Sequence, residues 1–398
     1  MIKNRSTGLS DHHVIAISVF ALSVLGLVIL SSASAIIAHK NFGSNDFYFW
    51  RQLGHLSIGL ILWIIAYNVP YLVYKKPSPY IYGASILALF LVFIPGIGAD
   101  YGTSASWIDI PFLPSIQPAE YSKLTMILYL AFLCERKKDQ IKDLMNGLMP
   151  LVMVVALTVV LLILQPDYGT TLIICFIAFS IIFIAGAERL HLLGGFIMGA
   201  LMAIIVASNK QYIYNRFTAF LDPFADSLGT GYHIIQSLIA VGSGGFWGKG
   251  FGNSRQKFEY IPEAQGDSIF AIASEELGFI RVVPLVLIFL VIAWHGFRIA
   301  QKTDDKYGKY LATGITSWLT FQAFINVMVV LAMFPTTGIT LPFISYGGSS
   351  LIVSFYAVGI LMNISKFGGV IVRTNESRSI NPEKSFMNKS LYQKHRWR

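Results

Sequence analysis

Asp267 is the residue in this chain best placed to handle a proton. It follows Gly266 and precedes Ser-Ile-Phe-Ala at the mouth of a long apolar run. A carboxylate there suits a helix cap, where Asp is among the best residues. It equally suits a general base or a cation ligand. A helix N-terminus favours the charged form, whereas partial burial favours the neutral one. A base for a hydroxyl needs only to accept a proton as the new bond forms, so even a modest pKa serves. On one continuous helix, Glu275 would fall about 80° from Asp267, Glu276 about 180°, and Arg281 about 40° on the other side. Glu275 is therefore expected to share a side with Asp267, and Glu276 to sit in a structural ion pair.

Upstream lies a glycine-dense stretch, with Gly242, Gly244, Gly245, Gly248, Gly250 and Gly252 close together. It leads into Lys249, Arg255 and Lys257, and Arg216 precedes it. These four are either ordinary loop charge or contacts for an anion such as a pyrophosphate, which Lys and Arg neutralise while glycines let backbone N–H groups approach. A nucleotide loop does not fit: Gly250, not Ser or Thr, follows Gly248-Lys249, and no strand precedes them. Glu263, after Pro262, adds a further candidate binding carboxylate. Glu120 and Lys123 stand one turn apart in QPAEYSK. They form an ion pair or place one member in a cavity. Asp167, after Gln165-Pro166, caps a helix or faces that same cavity. The eight histidines are scattered without ligand spacing, so a zinc site is not expected. Cys134 and Cys175 give no disulfide framework.

The elements that must position these residues are apolar. The chain has 398 residues, 55% hydrophobic and only 13% charged, against about 25% charged in soluble domains. Most of it therefore belongs in lipid. Its net charge of +9 lies in short connections without aromatic interleaving, which argues against nucleic acid. About ten runs approach the roughly 20 residues a spanning helix needs. They fall at roughly 14–38, 52–69, 79–98, 118–134, 146–165, 169–187, 193–209, 268–297, 309–333 and 347–365. Most Lys and Arg lie in the connections and tail that become cytoplasmic when the N-terminus is inside. Both termini are then cytoplasmic. The expected fold is an all-α integral membrane protein. Its parts are an N-terminal tail over 1–13, a polytopic domain over 14–365, a large outer loop over 210–267, and a basic tail over 366–398. The outer loops at 99–117, around Gln165-Pro166-Asp167, at 210–267 and at Phe334–Gly348 are rich in Pro and Gly. Irregular backbone at membrane depth persists only when buried in protein or lining a wet cavity, so these loops are expected to fold over an outward-facing cavity.

Four stretches together resemble the SEDS family (shape, elongation, division and sporulation). They are SIQPAEYSK (115–123), QPDYGTT (165–171), the run from Asp222 to Asp267, and TTGITLPFISYGGSSLI (336–352). The run SRQKFEYIPEA is similar to the FtsW branch more than to RodA. The resemblance covers nearly all the spans. It implies a bundle of ten spans with a large outer loop between spans seven and eight. It also implies polymerisation of lipid II into glycan strands at the outer face of the cytoplasmic membrane, in cell division. By resemblance the catalytic residue is Asp267 and the cavity residues are Glu120, Lys123 and Asp167. The chain departs from the family pattern in places. His-Thr before the aspartate and Phe after it are replaced by Gln265-Gly266 and Ser268. Ser106 replaces an arginine, and Arg281 a glycine.

The implied reaction is an inverting glycosyl transfer that releases undecaprenyl pyrophosphate. Lys249, Arg255, Lys257 and Lys123, or a divalent cation (Mg or Mn), would stabilise the leaving charge. No organic cofactor is expected. The implied partners are lipid II, a class B penicillin-binding protein acting as transpeptidase, and other division proteins. A lipid II flippase and a non-catalytic scaffold of the cell-wall complex are the rival readings.

Overall fold

The computed structural model describes residues 10–99, 106–109 and 115–380, setting aside the side chains of residues 139, 203, 205–207, 209 and 368–380. Residues 1–9 of the N-terminal tail, most of the loop at 99–117, and the basic tail beyond 380 lie outside the described residues.

The apolar runs form helices because a chain without water must satisfy its N–H and C=O groups within each segment. In order these are α1 (Asp11–Ala33), α2 (Ala35–Phe42), α3 (Phe47–Asn68), α4 (Ser78–Leu91) and α5 (Pro118–Lys137). Next come α6 (Met149–Leu164), α7 (Tyr168–Ala185), α8 (Arg189–Asn209), α9 (Gln211–Leu221) and α10 (Tyr232–Gly244). The series ends with α11 (Ile269–Leu277), α12 (Phe279–Lys302), α13 (Lys306–Val330) and α14 (Gly348–Ile380). A two-residue antiparallel pair, β1 (Gly98–Ala99) and β2 (Trp107–Ile108), sits between α4 and α5. Proline opens α4, α5 and α6, where its missing N–H costs no helix bond.

Among the described residues, seven helices are long and apolar enough to cross a membrane, and α4 and the first part of α8 are shorter apolar helices. The protein is thus a multi-pass membrane protein. Helix α5 is long enough, but it carries Glu120 and Lys123 within its first two turns.

Helix α13 is the axis of the bundle. Buried residues make up 78% of its apolar window, against 28% for α12 and 22% for α3. It packs against α5, α7, α12 and α14, and Trp318, Tyr307 and Gln322 on it are buried. The outer helices show the reverse pattern, with Ile61, Leu193, Phe196 and Trp294 exposed as lipid contact requires.

Three expectations need revision. The run at 268–297 is two helices broken at Gly278, not one span. The stretch 210–267 is not wholly irregular, since α9 and α10 lie within it. Helix α14 continues to Ile380 rather than ending near 365. The segment Phe334–Gly348 is irregular as expected, and it is buried in protein: Ile339, Leu341, Phe343 and Ile344 are all core residues.

Candidate active site

The helix break sets the geometry. Gly278 has φ +74° and Gly248 has φ +81°, a region that favours glycine. The two backbones cross there, so a Cβ on Gly278 would lie 2.1 Å from the Gly248 nitrogen. Breaking a helix inside the protein frees carbonyls on one side and N–H groups on the other. The glycine-dense loop satisfies both sets. Lys249 N–H donates to the Glu275 carbonyl and Gly250 N–H to that of Glu276, each at 3.0 Å. Phe279 N–H donates to the Gly245 carbonyl at 3.0 Å and Ile280 N–H to that of Phe246 at 3.2 Å. Close approach and helix splicing therefore account for these glycines.

Carboxylates lock the same loop from below. Glu275 is fully buried and accepts from Lys249 Nζ (2.6 Å), from the Ser254 hydroxyl, and from the Arg255 and Gln256 N–H groups. Glu276 Oε1 accepts from the Ser32 hydroxyl of α1 (2.7 Å) and from Lys257 Nζ (3.2 Å). Lys257 also donates to the Gly252 carbonyl at 2.6 Å. Glu276 thus sits in the ion pair expected of it. Because α11 begins only at Ile269, the helical projection from Asp267 to Glu275 does not apply, and the two acids meet different partners, Lys249 and Ser254 for Glu275 and Ser268 for Asp267. Lys249 and Lys257 are turned inward onto these acids rather than gathered as free anion contacts. Arg255 stays exposed, and Arg281 donates to the Trp247 carbonyl.

Above this frame, residues 262–268 form the turn that carries Asp267. The N-cap of α11 is Ser268, so Asp267 is not the helix cap. The turn is pinned from two sides. Tyr346 N–H donates to the Gln265 carbonyl (2.9 Å), and Asn326 Nδ2 of α13 donates to the Asp267 carbonyl (2.7 Å) and to the Ile339 carbonyl (2.7 Å). Asp267 itself is half-buried. Burial pushes its carboxyl above the usual carboxylate range, while the charge of His233, the Ser268 hydrogen bond and Arg216 pull against that. Ser268 Oγ is 3.1 Å from Asp267 Oδ1 and 2.7 Å from His233 Nε2 of α10. Glu263, held at φ +50°, accepts from the Gln265 amide. Although Glu263 is exposed, partial desolvation and then the charge of Asp267 raise its pKa.

Beside the turn is a polar cavity of about 100 Å³. Glu120, Lys123, Asp167 and Arg216 all line it, together with Tyr212 and Thr337, so the structure brings four of the expected residues together. Lys123, only 1% exposed, pairs with Glu120 at 2.7 Å, donates to Gln322 Oε1 at 2.8 Å and lies over the Trp318 ring. Asp167 caps α7 through Thr170 N–H at 2.9 Å with Oδ1, and its other oxygen has no hydrogen-bond partner among the described residues. Burial raises its pKa, Thr170 opposes that, and Glu120 adds to it. Arg216 donates to the Thr336 carbonyl at 2.8 Å and to the Tyr212 hydroxyl, and lies over the Tyr212 ring. Its charge reaches Asp267.

No group of three His, Cys, Asp or Glu side chains suited to a metal ion occurs among the described residues. His233, Ser268, Asn326 and Gln322 are site residues that motif spacing does not reveal. The one available signal is that Ser268 and Gln265 depart from the family pattern together.

The chain matches the family model for cell cycle proteins of the FtsW, RodA and SpoVE type over residues 12–368. It is 41% identical over 346 residues to stage V sporulation protein E of Bacillus subtilis, covering 87% of this chain and 94% of that one. To the protein of Trichlorobacter lovleyi described as "Probable peptidoglycan glycosyltransferase FtsW" it is 37% identical, with 88% and 92% covered. Its fold is similar to a chain of a peptidoglycan synthase complex that coordinates polymerization and crosslinking (TM-score 0.73, 29% identity, 88% and 96% covered). It is also similar to the rod shape determining protein RodA of Thermus thermophilus (TM-score 0.65, 27% identity, 89% and 96% covered).

Proposed function

This chain belongs to the FtsW/RodA/SpoVE family of cell cycle proteins, and we propose that it is a peptidoglycan glycosyltransferase with Asp267 as its general base. The observation that carries the role of Asp267 is its placement: a half-buried carboxylate of raised pKa, pinned by its own backbone and facing the charge of Arg216. A raised pKa brings a carboxylate nearer the operating pH, where a base works best.

The acceptor's GlcNAc 4-hydroxyl attacks the anomeric carbon of the lipid-linked MurNAc donor. A C–O bond forms as the hydroxyl proton passes to Asp267. The bond from the anomeric carbon to the pyrophosphate oxygen breaks, and undecaprenyl pyrophosphate leaves with the electron pair, inverting the centre. Arg216, whose charge reaches Asp267, and the exposed Arg255 are the cations left to meet that charge, since Lys249, Lys257 and Lys123 already face carboxylates. The cavity of about 100 Å³ holds a few waters and not a disaccharide. Substrate therefore binds at its mouth or spreads the loops around it. An apolar groove of about 700 Å³ between α4 and α5, lined by Ile81, Leu91, Ile97 and Pro118, suits a polyprenyl tail. Its lining residues Pro118 and Tyr121 lie on the same first turn of α5 that gives Glu120 to the polar cavity.

We place the reaction at the outer face of the bacterial cytoplasmic membrane, with ten spans, both termini inside and 210–267 outside. Lipid II is donor and acceptor, and a class B penicillin-binding protein cross-links the product with other division proteins. The peptidoglycan synthase complex of similar fold supports such a partner. The test is glycan polymer from lipid II by purified protein, alone and with the partner, in wild type and Asp267→Asn. Loss of polymer in the variant at unchanged melting temperature is expected. An Asn variant that polymerises at the wild-type rate removes Asp267 from the chemistry, and headgroup movement without polymer returns the transport reading.

A further inference from the structure

The sequence places Gln265 and Ser268 where the family pattern has a histidine and a phenylalanine. The fold fills that gap from elsewhere. His233, on the first turn of α10, reaches the turn with Nε2 2.7 Å from Ser268 Oγ, and Ser268 Oγ is 3.1 Å from Asp267 Oδ1. Ser268 is fully buried and His233 half-buried. A serine hydroxyl has one proton and accepts with its lone pairs. For that proton to point at Asp267, Ser268 must accept from the histidine, so Nε2 must carry a hydrogen.

We infer that His233 and Ser268 are positioning residues, a hydrogen-bond chain that fixes Asp267 as its charged form with Oδ1 occupied and Oδ2 free for the acceptor hydroxyl. Two features favour this over a packing contact. The alternative acceptor for Ser268, the Pro262 carbonyl, is farther at 3.3 Å. The backbone of Asp267 is separately held by Asn326, so the side-chain chain is not needed to hold the turn. The charged groups facing Asp267 are His233 from α10, Arg216 from α9 and Glu263 from its own turn.

The sign of the effect follows. The base works when ionised, so the rate falls as pH drops through the pKa of Asp267. His233 and Ser268 both lower that pKa against the burial that raises it. Removing either lets the pKa rise, and the acidic limb moves to higher pH. One lost hydrogen bond to a charged group shifts it by about one pH unit.

This inference rests on Asp267 being the base, and the experiment separates the two. Polymerisation by the purified full chain with its partner is measured from pH 5 to 9 for wild type, Ser268→Ala, His233→Leu, His233→Gln and Asp267→Asn, with melting temperatures alongside. The expected result is an acidic limb raised by about one pH unit in Ser268→Ala and His233→Leu. The Gln variant, which keeps an N–H donor, should return the limb most of the way to its wild-type position. An unmoved limb in both Ser268→Ala and His233→Leu, with Asp267→Asn inactive, overturns the chain and leaves the base intact. An active Asp267→Asn overturns both. A lower plateau with an unmoved limb, not rescued by Gln, makes the contact structural and also overturns the inference.

Discussion

Glu275 decides whether the lysines of the glycine loop are a frame or a substrate site. Its carboxylate is fully buried and takes Lys249 Nζ, two serine hydroxyls and two backbone N–H groups. Glu275→Ala strands all of these donors. Breaking a buried pair from one side costs about 3–5 kcal/mol. Lys249 keeps 30% of its side chain in solvent, so the released ammonium recovers some hydration and the lower end, about 3 kcal/mol, is expected. Glu275→Gln keeps the shape and one acceptor oxygen, and about 2 kcal/mol is expected. Lys249→Met leaves a buried charge but also four other donors to hold it, the hydroxyls of Ser243 and Ser254 and the N–H groups of Arg255 and Gln256, for a similar cost of about 2 kcal/mol. Because the two side chains touch, Lys249→Met with Glu275→Gln should cost less than the sum of the two, by about 1–3 kcal/mol. Reversible unfolding in mixed detergent micelles, followed by tryptophan fluorescence, measures all four. The reasoning is refuted if the double variant is additive. It is refuted equally if Lys249→Met is as stable as wild type yet makes no polymer, since the lysine would then be meeting substrate and not Glu275.

Two further outcomes follow from the same geometry. Gly278→Ala puts a Cβ 2.1 Å from the Gly248 nitrogen at φ +74°. It should destabilise by at least about 2–3 kcal/mol and lower polymer yield with it, read as a fall in melting temperature by fluorescence-detected gel filtration, whereas Gly186→Ala, with open space around it, should cost only its backbone strain. Lys123→Met leaves Glu120 buried without its cation and should cost about 3–5 kcal/mol. Adding Glu120→Gln should recover most of that stability in the same melting assay, and a double variant no more stable than Lys123→Met alone argues against the pair.

How much of this was legible in the sequence depends on the range of the interaction. The apolar runs are local, and they were readable. So was the ion pair of Glu120 with Lys123, three residues apart, and the irregular backbone of Phe334–Gly348, whereas its burial in the core depends on packing far along the chain. The break at Gly278 was not readable. Its cause is Gly248, thirty residues earlier in the chain, and nothing local forbids one helix through Ser274–Arg281. The lysine partners were hidden for the same reason: Lys249 and Lys257 meet carboxylates only after the loop folds back on α11. His233 looked like one of eight scattered histidines because its partner, Ser268, lies beyond the whole glycine loop.

The break also explains why charge is so dense in this part of the chain. Had α11 and α12 been one helix, Glu275 and Glu276 would sit mid-span on a lipid-facing or bundle-facing stripe with no backbone donors to meet them. Splitting the helix turns the freed carbonyls and N–H groups into attachment points for the loop, and the loop brings the donors that the two acids need. The ion network and the splice are therefore one construction, and its upper edge is the turn that holds Asp267. Only the N–H of Arg255 joins that construction, its side chain being exposed, and the cavity-lining Arg216 stands outside it. Charges that are locked into the frame are poor candidates for a contact that must form and release in every turnover. The Arg255 side chain is exposed, Arg216 is held on a carbonyl and a hydroxyl rather than on a carboxylate, and the chemistry should be sought between these arginines and Asp267.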